Sequence, residues 1–166
     1  MSLDLINKSI GLEIKGNTVK ATYPKNELRI AMATDQINNS VKKWTVELIH
    51  VKNWVGIGIC QRDQIISNKL KILSSDTQGS CHGLYMISTD GNIWNANNNE
   101  EDGNKFFFKF SKGDKVHVEF NPFAMELTFT LGSFEIKLTN IKNMHSIVPH
   151  VVIINKEDEV ALEWTD

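Results

Sequence analysis

Cysteine, arginine, helical periodicity and long apolar runs are all scarce in this chain, and each scarcity removes a class of protein. Its 166 residues include two cysteines, Cys60 and Cys81, too few for a disulfide framework, so a reducing compartment (cytosol or nucleus) is expected. No apolar stretch approaches the roughly 18 residues that cross a bilayer. The first residues, Met1-Ser2-Leu3-Asp4-Leu5, carry neither the basic start nor the apolar core of a secretory signal. Arginine occurs only at Arg29 and Arg62, and the net charge is −2 with a pI near 6.2. So few forked cations and no positive field argue against nucleic acid, and against an anionic membrane, as partner. No linker composition and no internal repeat interrupt the chain, and its length suffices for one self-supporting core, so one domain over residues 1–166 is expected.

What the chain does have is a succession of short alternating segments. Candidate strands are residues 12–14, 18–23, 28–32, 44–49, 55–60, 83–88, 91–94, 105–110, 115–120, 126–131, 133–138, 148–154 and 160–164. The punctuation between them is specific: Asp90-Gly91 and Leu131-Gly132-Ser133 suit tight hairpins, while Lys112-Gly113-Asp114 and Asn121-Pro122 suit turns. Apolar and polar residues alternate over 116–120, 127–131, 134–138 and 160–164, which predicts antiparallel sheets with one side of each strand buried and the other free. Trp44, Val46 and Leu48 share one face of their strand. In Trp54-Val55-Gly56-Ile57-Gly58-Ile59 the two glycines share the face of Trp54, where a bulky neighbour or a crossing backbone must come close. Helix is nearly absent; Ser2 can cap at most one turn through Leu3, Leu5 and Ile6. Residues 62–82 and 95–104 lack strand pattern, and loops of this length in a compact domain are commonly functional. The fold class is therefore all-β, a β-sandwich of two antiparallel sheets with little helix.

No constellation of residues points to catalysis. Cys81 and His82 are adjacent in an extended chain and point to opposite sides, a poor arrangement for sharing a proton, and a free cysteine beside a surface histidine is the plainer account. Gly56-Ile57-Gly58 opens no helix, so it is not a phosphate loop. The five histidines show no zinc spacing, and His117 alternates with Val116 and Val118 toward solvent. Glu100-Glu101-Asp102 lacks the order of a calcium loop. Neither cofactor, metal nor enzymatic activity is expected.

The order of these segments carries a resemblance. Trp44-Thr45-Val46-Glu47 followed by Trp54-Val55-Gly56-Ile57-Gly58 resembles the opening strands of a SPRY domain, W-x-V-E and V-G-[VI]-[GA]. Gly83-Leu84-Tyr85 with Asp90-Gly91-Asn92-Ile93-Trp94 resembles that family's central hairpin. Lys112 to Val116 resembles its G-D-x-[VI] turn, Leu127-Thr128-Phe129 its L-x-F, and Ile147 to Val151 its [LI]-x-P-x-V. The matches fall in family order over about residues 12–164. Two departures stand out: residues 119–126 lack the acidic D-x-x-x-G before L-x-F, and Leu131-Gly132-Ser133 replaces an N-G turn. The resemblance implies a bent, concanavalin-like jelly roll without enzymatic activity, an adaptor or substrate-recognition module that grips a short peptide or surface loop of a partner protein.

In that family the contact surface gathers edge loops, which here are residues 34–41, 62–82, 95–104 and 155–158; loops on a rigid sandwich can vary without disturbing the core. Polar contacts would come from Asp35, Gln36, Asn38, Arg62, Asn95, Asn97 and Asn155, and aromatic anchors from Tyr85 and Trp94. For both aromatics core packing is the alternative. Trp44, Trp54 and Trp164 are read as core because each is in phase with other buried positions. The isolated domain is expected as a monomer. Two other readings stay open on the residues alone: a carbohydrate-binding sandwich, and a structural subunit whose edge loops are buried in a permanent assembly.

Overall fold

The computed structural model of the protein describes residues 1–165 except 5, 38, 71–81, 99, 107 and 143–144. The elements run β1 (Leu12–Lys15), β2 (Thr18–Ala21), β3 (Arg29–Met32), β4 (Lys42–His50), β5 (Val55–Gln61), α1 (Arg62–Ser67), β6 (Leu84–Ser88), β7 (Ile93–Asn95), β8 (Lys115–Asn121), β9 (Glu126–Leu131), β10 (Phe134–Leu138), β11 (Ile147–Ile153) and β12 (Glu159–Thr165). They form two antiparallel sheets. One has seven strands in the order β1-β2-β12-β4-β8-β9-β10, the other five in the order β3-β11-β5-β6-β7. The antiparallel all-β sandwich read from the sequence is the observed architecture.

The main core lies between the sheets. From the seven-stranded sheet come Trp44, Val46 and Leu48 of β4, Val116, Val118 and Phe120 of β8, and Leu127 and Phe129 of β9. They meet Ile57 and Ile59 of β5, Tyr85 and Ile87 of β6 and Val151 and Ile153 of β11. A second cluster covers the other face of the five-stranded sheet. Ile30, Met32, Cys60, Leu84, Met86, Val148 and Val152 are buried there beneath Ile65 and Ile66 of α1 and the half-buried Trp54 and Trp94. One-sided burial thus holds for the seven-stranded sheet and fails for the other, whose β5, β6 and β11 are buried along nearly their whole length. The close approach expected at the glycines is present. A β-carbon on Gly56 would lie 3.0 Å from the Trp54 ring and 3.0 Å from the Met86 sulfur. One on Gly58 would collide with the Tyr85 carbonyl oxygen and sit 2.7 Å from Met86 Cα.

Three local expectations change. Residues 105–110 form no strand among those described; Lys105 makes a single bridge to Asn92, and the chain then leaves the sheet while Phe108 and Phe110 tuck into the core. Leu3 starts no helical turn but bridges Ala33. Among the described residues the one helix, the short α1, begins within 62–82, where no strand pattern is visible, and no described helix is long and apolar enough to cross a membrane.

Candidate functional site

Register sorts the loops to two ends of the sandwich. Ile147 at the start of β11 pairs with Gln61 at the end of β5, whereas Ile153 pairs with Val55. These ends are roughly 20 Å apart for a seven-residue strand. The first end also receives segment 34–41, because the Ile37 amide donates to the Ile147 carbonyl at 3.0 Å. It gathers α1 as well, whose Arg62 amide donates to the Ser146 carbonyl at 3.0 Å. Lys42 opens β4 there, and Trp164 and Thr165 end β12 opposite Trp44 and Lys43.

Between segment 34–41 and these strand ends lies a cleft of about 590 Å³ lined by Asp35, Gln36, Ile37, Val41, Lys42, Lys43, Trp164 and Thr165. Its aromatic wall is Trp164, half-buried and edge-on to the fully buried Trp44, with ring centroids 6.0 Å apart at 84°. Asp35 and Gln36 are exposed at its rim, as are Lys42 and Lys43, the latter ion-paired to Glu119 at 2.9 Å. The cleft thus combines an aromatic wall with the apolar Ile37 and Val41 and a polar rim. The sequence pattern assigns Trp164 to the core, in phase with other buried positions. It escapes full burial because β12 runs on past the last residue that β2 covers, Ala161.

The other residues named from the sequence have different employment. Tyr85 is fully buried rather than at a rim: its hydroxyl bonds Asn97 Oδ1 and donates to the Lys142 carbonyl at 3.2 Å, and Gln61 Nε2 donates to it at 3.3 Å. Asn97 Oδ1 also accepts from the Lys142 amide at 2.9 Å. Asn95 is buried as well, donating through Nδ2 to Glu101 at 2.6 Å and to the Thr139 carbonyl at 2.8 Å. These three therefore pin loops 96–104 and 139–142 to the sheet; a buried amide or phenol without such partners would be costly. Arg62 points at the N-terminal segment, where it pairs with Asp4 and donates to the Thr34 carbonyl at 3.2 Å. Burial pushes the Asp4 carboxyl up, but hydrogen bonds from Asn7 and Ile6 and the Arg62 charge outweigh it, and the net shift is downward.

Trp94 lies on the covered outer face, edge-on to Trp54 at 5.7 Å. Asn155 is buried at the far end of the sandwich, donating to Asp158 at 3.1 Å while Asp158 accepts from the Lys52 amide at 2.7 Å. Asn38 and residues 71–81, Cys81 included, lie outside the described residues. His82 is interior, not superficial. Its Nδ1 accepts from the Leu84 amide at 3.0 Å and its Nε2 donates to Asp102 at 3.2 Å, so the neutral ring is fully engaged. Burial lowers its pKa against the opposing pull of Asp102. Of the nine residues named, Asp35 and Gln36 reach the open cleft; Val41, Lys42, Lys43 and Trp164 beside them were not singled out. The hint available was positional, since they flank a strand start and a strand end that pair with one another.

No family model matches the sequence, and neither does any curated protein. Solved structures do match. The SPRY domain of human HERC1 superposes with a TM-score of 0.71 at 10% identity, covering 99% of each chain. A human SPRY domain gives 0.65 at 14% identity over 98% of this chain and 97% of that one. The PSpry domain of TRIM65 gives 0.64 at 10% identity over 99% and 91%. With sequence identity this low and coverage this complete, what is shared is architecture: the chain has the fold of a SPRY domain.

Proposed function

We propose that this protein is a non-enzymatic interaction module that takes a short peptide or surface loop of a partner protein into the cleft between segment 34–41 and the end of β12. The observation that carries this reading is the half-buried Trp164 on the buried Trp44, a preformed aromatic wall in a 590 Å³ cleft whose rim carries Asp35, Gln36 and Lys42. Two indoles packed edge to face fix the wall with little freedom left to lose on binding, which is what an anchor pocket requires. Resemblance to SPRY domains in motif order and in fold supports the same class of role, as adaptor or substrate-recognition domain within an intracellular assembly. The cleft, rather than the Tyr85–Asn97 network or the Asn155 turn, is the surface to test, because those residues already bond one another.

A displayed peptide library screened against the folded protein yields sequences that bind, and amide shift mapping with a synthetic hit places the largest changes at residues 35–43 and 164–165. Trp164→Ala weakens the hit by more than about tenfold, roughly 1.4 kcal/mol, with the circular dichroism spectrum unchanged. Shifts centred on residues 155–158, or a glycan hit in place of a peptide, would overturn the assignment.

A further inference from the structure

A sheet ends in unpaired backbone groups unless something covers its edge, and this protein covers its edges unequally. Along β3, the Ser9 amide donates to the Ile30 carbonyl at 3.0 Å, the Ser9 hydroxyl accepts from the Ile30 amide at 2.9 Å, and Leu3 bridges Ala33. Along β7, the Ile93 amide donates to the Asn104 carbonyl at 3.0 Å, and the Ile93 carbonyl accepts from the Gly103 amide at 2.9 Å. On β1, Lys8 Nζ donates to the Leu12 carbonyl at 2.7 Å. At the opposite end of the seven-stranded sheet β10 has no such cover. Among the described residues nothing beyond β9 bonds its Glu135 and Lys137 backbone.

Those two residues hold the open edge. Along an antiparallel strand, backbone groups turn to one neighbour and then the other at alternate residues. Leu48 of β4 turns toward β8, its amide donating to the Asp114 carbonyl at 3.0 Å. Carried through the unbroken registers of β4, β8, β9 and β10, that alternation puts the backbone groups of Phe134, Ile136 and Leu138 on β9 and those of Glu135 and Lys137 at the edge. The side chains divide in the same way. Ile136 and Leu138 belong to the core, and Phe134 shares their face yet is 69% exposed. Glu135 and Lys137 face water, 3.8 Å from one another.

We propose that β10 pairs antiparallel with β10 of a second copy, about a two-fold axis at Ile136, in place of the monomer expected from the sequence. With Ile136 facing itself, Glu135 stands opposite Lys137 of the second copy and Lys137 opposite its Glu135, each pair exchanging both backbone bonds. On the wet face every carboxylate then meets an ammonium directly across. A slip of one residue calls on groups already spent on β9. A slip of two sets Glu135 against Glu135, or Lys137 against Lys137, and directly opposed like charges destabilise a sheet. On the core face Phe134 lies across from Leu138 of the second copy, so the exposed ring gains an apolar neighbour. Charged edges commonly ward off pairing. This one carries opposite signs spaced so that pairing with itself is the favourable case, which names a second copy rather than a foreign strand as the occupant. The edge is separate from the peptide cleft, whose lining comes from segment 34–41, β4 and β12.

The test is sedimentation equilibrium of the whole chain from about 10 µM to about 1 mM, with amide hydrogen exchange followed at both ends of that range. The expected result is a monomer–dimer equilibrium in which protection of the Glu135 and Lys137 amides rises as the dimer forms. Glu135→Lys and Lys137→Glu each set like charges across the axis and weaken the dimer at least about tenfold. Mixing these two variants restores association as a heterodimer, and the double variant Glu135→Lys/Lys137→Glu regains it alone; damage to the fold would give neither rescue. Phe134→Ser weakens the dimer without touching the charges. A chain that stays monomeric throughout, a dimer indifferent to the charge reversals, or one whose added protection falls away from β10 overturns the proposal.

Discussion

The two sheets bury their residues by different rules. In the seven-stranded sheet, β4, β8 and β10 put alternate residues inside and leave the rest in water. The wet face carries cross-strand ion pairs, Lys43 with Glu119 at 2.9 Å and Lys115 with Glu47 at 3.1 Å. In the five-stranded sheet β11 is buried at every position and β5 at all but Gln61. It is a middle layer, core on one side and a lid of α1, Trp54 and Trp94 on the other. Exposed ion pairs of this kind contribute at most about 1 kcal/mol each, while buried apolar side chains contribute about 1.5–3 kcal/mol each. The middle layer is therefore where small changes do the most damage, and the wet face where they do the least.

The sharpest way to break the contrast is at Gly58. A methyl group there meets β6 backbone (the Tyr85 carbonyl and Met86 Cα), neither of which can move without opening the β5–β6 ladder. Gly58→Ala is expected to cost about 3 kcal/mol or more, or to prevent folding, against under about 1 kcal/mol for Lys43→Ala on the wet face. Urea unfolding of both variants measures the difference; equal midpoints would dissolve the distinction between the layers.

Acid sharpens it next. Burial lowers the His150 pKa to about 3 from 6.5. Because the unfolded chain takes up the proton first, stability is fully present above pH 6.5 and falls steadily as the pH drops toward 3, at up to about 1.4 kcal/mol per unit. His82, lowered by its burial, adds in the same direction. The downward shift of Asp4 adds a further loss below the ordinary carboxylate range. Between pH 7 and 4.5 the urea midpoint should fall by the equivalent of about 2–3 kcal/mol from His150 alone, and His150→Phe should remove that part of the slope.

These differences also decide what could be read from the sequence. A wet sheet advertises itself by alternation, so the strands of the seven-stranded sheet stand out, and so does the sandwich. A middle layer has no alternation to show; Val55 to Cys60 holds only apolar residues and glycine, and Ile147 to Ile153 is apolar but for His150. Its second covered face was signalled only by two glycines in phase with Trp54. The site was less legible still. Tyr85, Asn95 and Asn97 share a chemistry that serves binding or loop-pinning equally, and partners distant in sequence, such as the Lys142 carbonyl, decide between them. Trp164 joined the cleft because a neighbouring strand stops short, which no local pattern encodes.

The smallest expected effect concerns a turn on the wet sheet, and it runs toward greater stability. Where the resembling family has D-x-x-x-G before L-x-F, this chain has Asn121-Pro122-Phe123-Ala124-Met125. Asn121 keeps the acid's part, its Oδ1 accepting from the Phe123 and Ala124 amides at 3.0 and 3.1 Å. Met125 keeps the glycine's backbone, at φ +56°, with its side chain 44% exposed. The β9–β10 hairpin of the same sheet meets a similar demand with Gly132 at φ +60°. A side chain in that region costs about 1–2 kcal/mol, partly offset by the lower unfolded-state entropy of a non-glycine residue. Met125→Gly should therefore stabilise the protein by about 0.5–1 kcal/mol, visible as a higher urea midpoint with an unchanged slope. A lower midpoint would mean that the Met125 side chain stabilises the fold by more than its backbone strain costs, and would extend the unforgiving behaviour of the middle layer to the rim of the wet one.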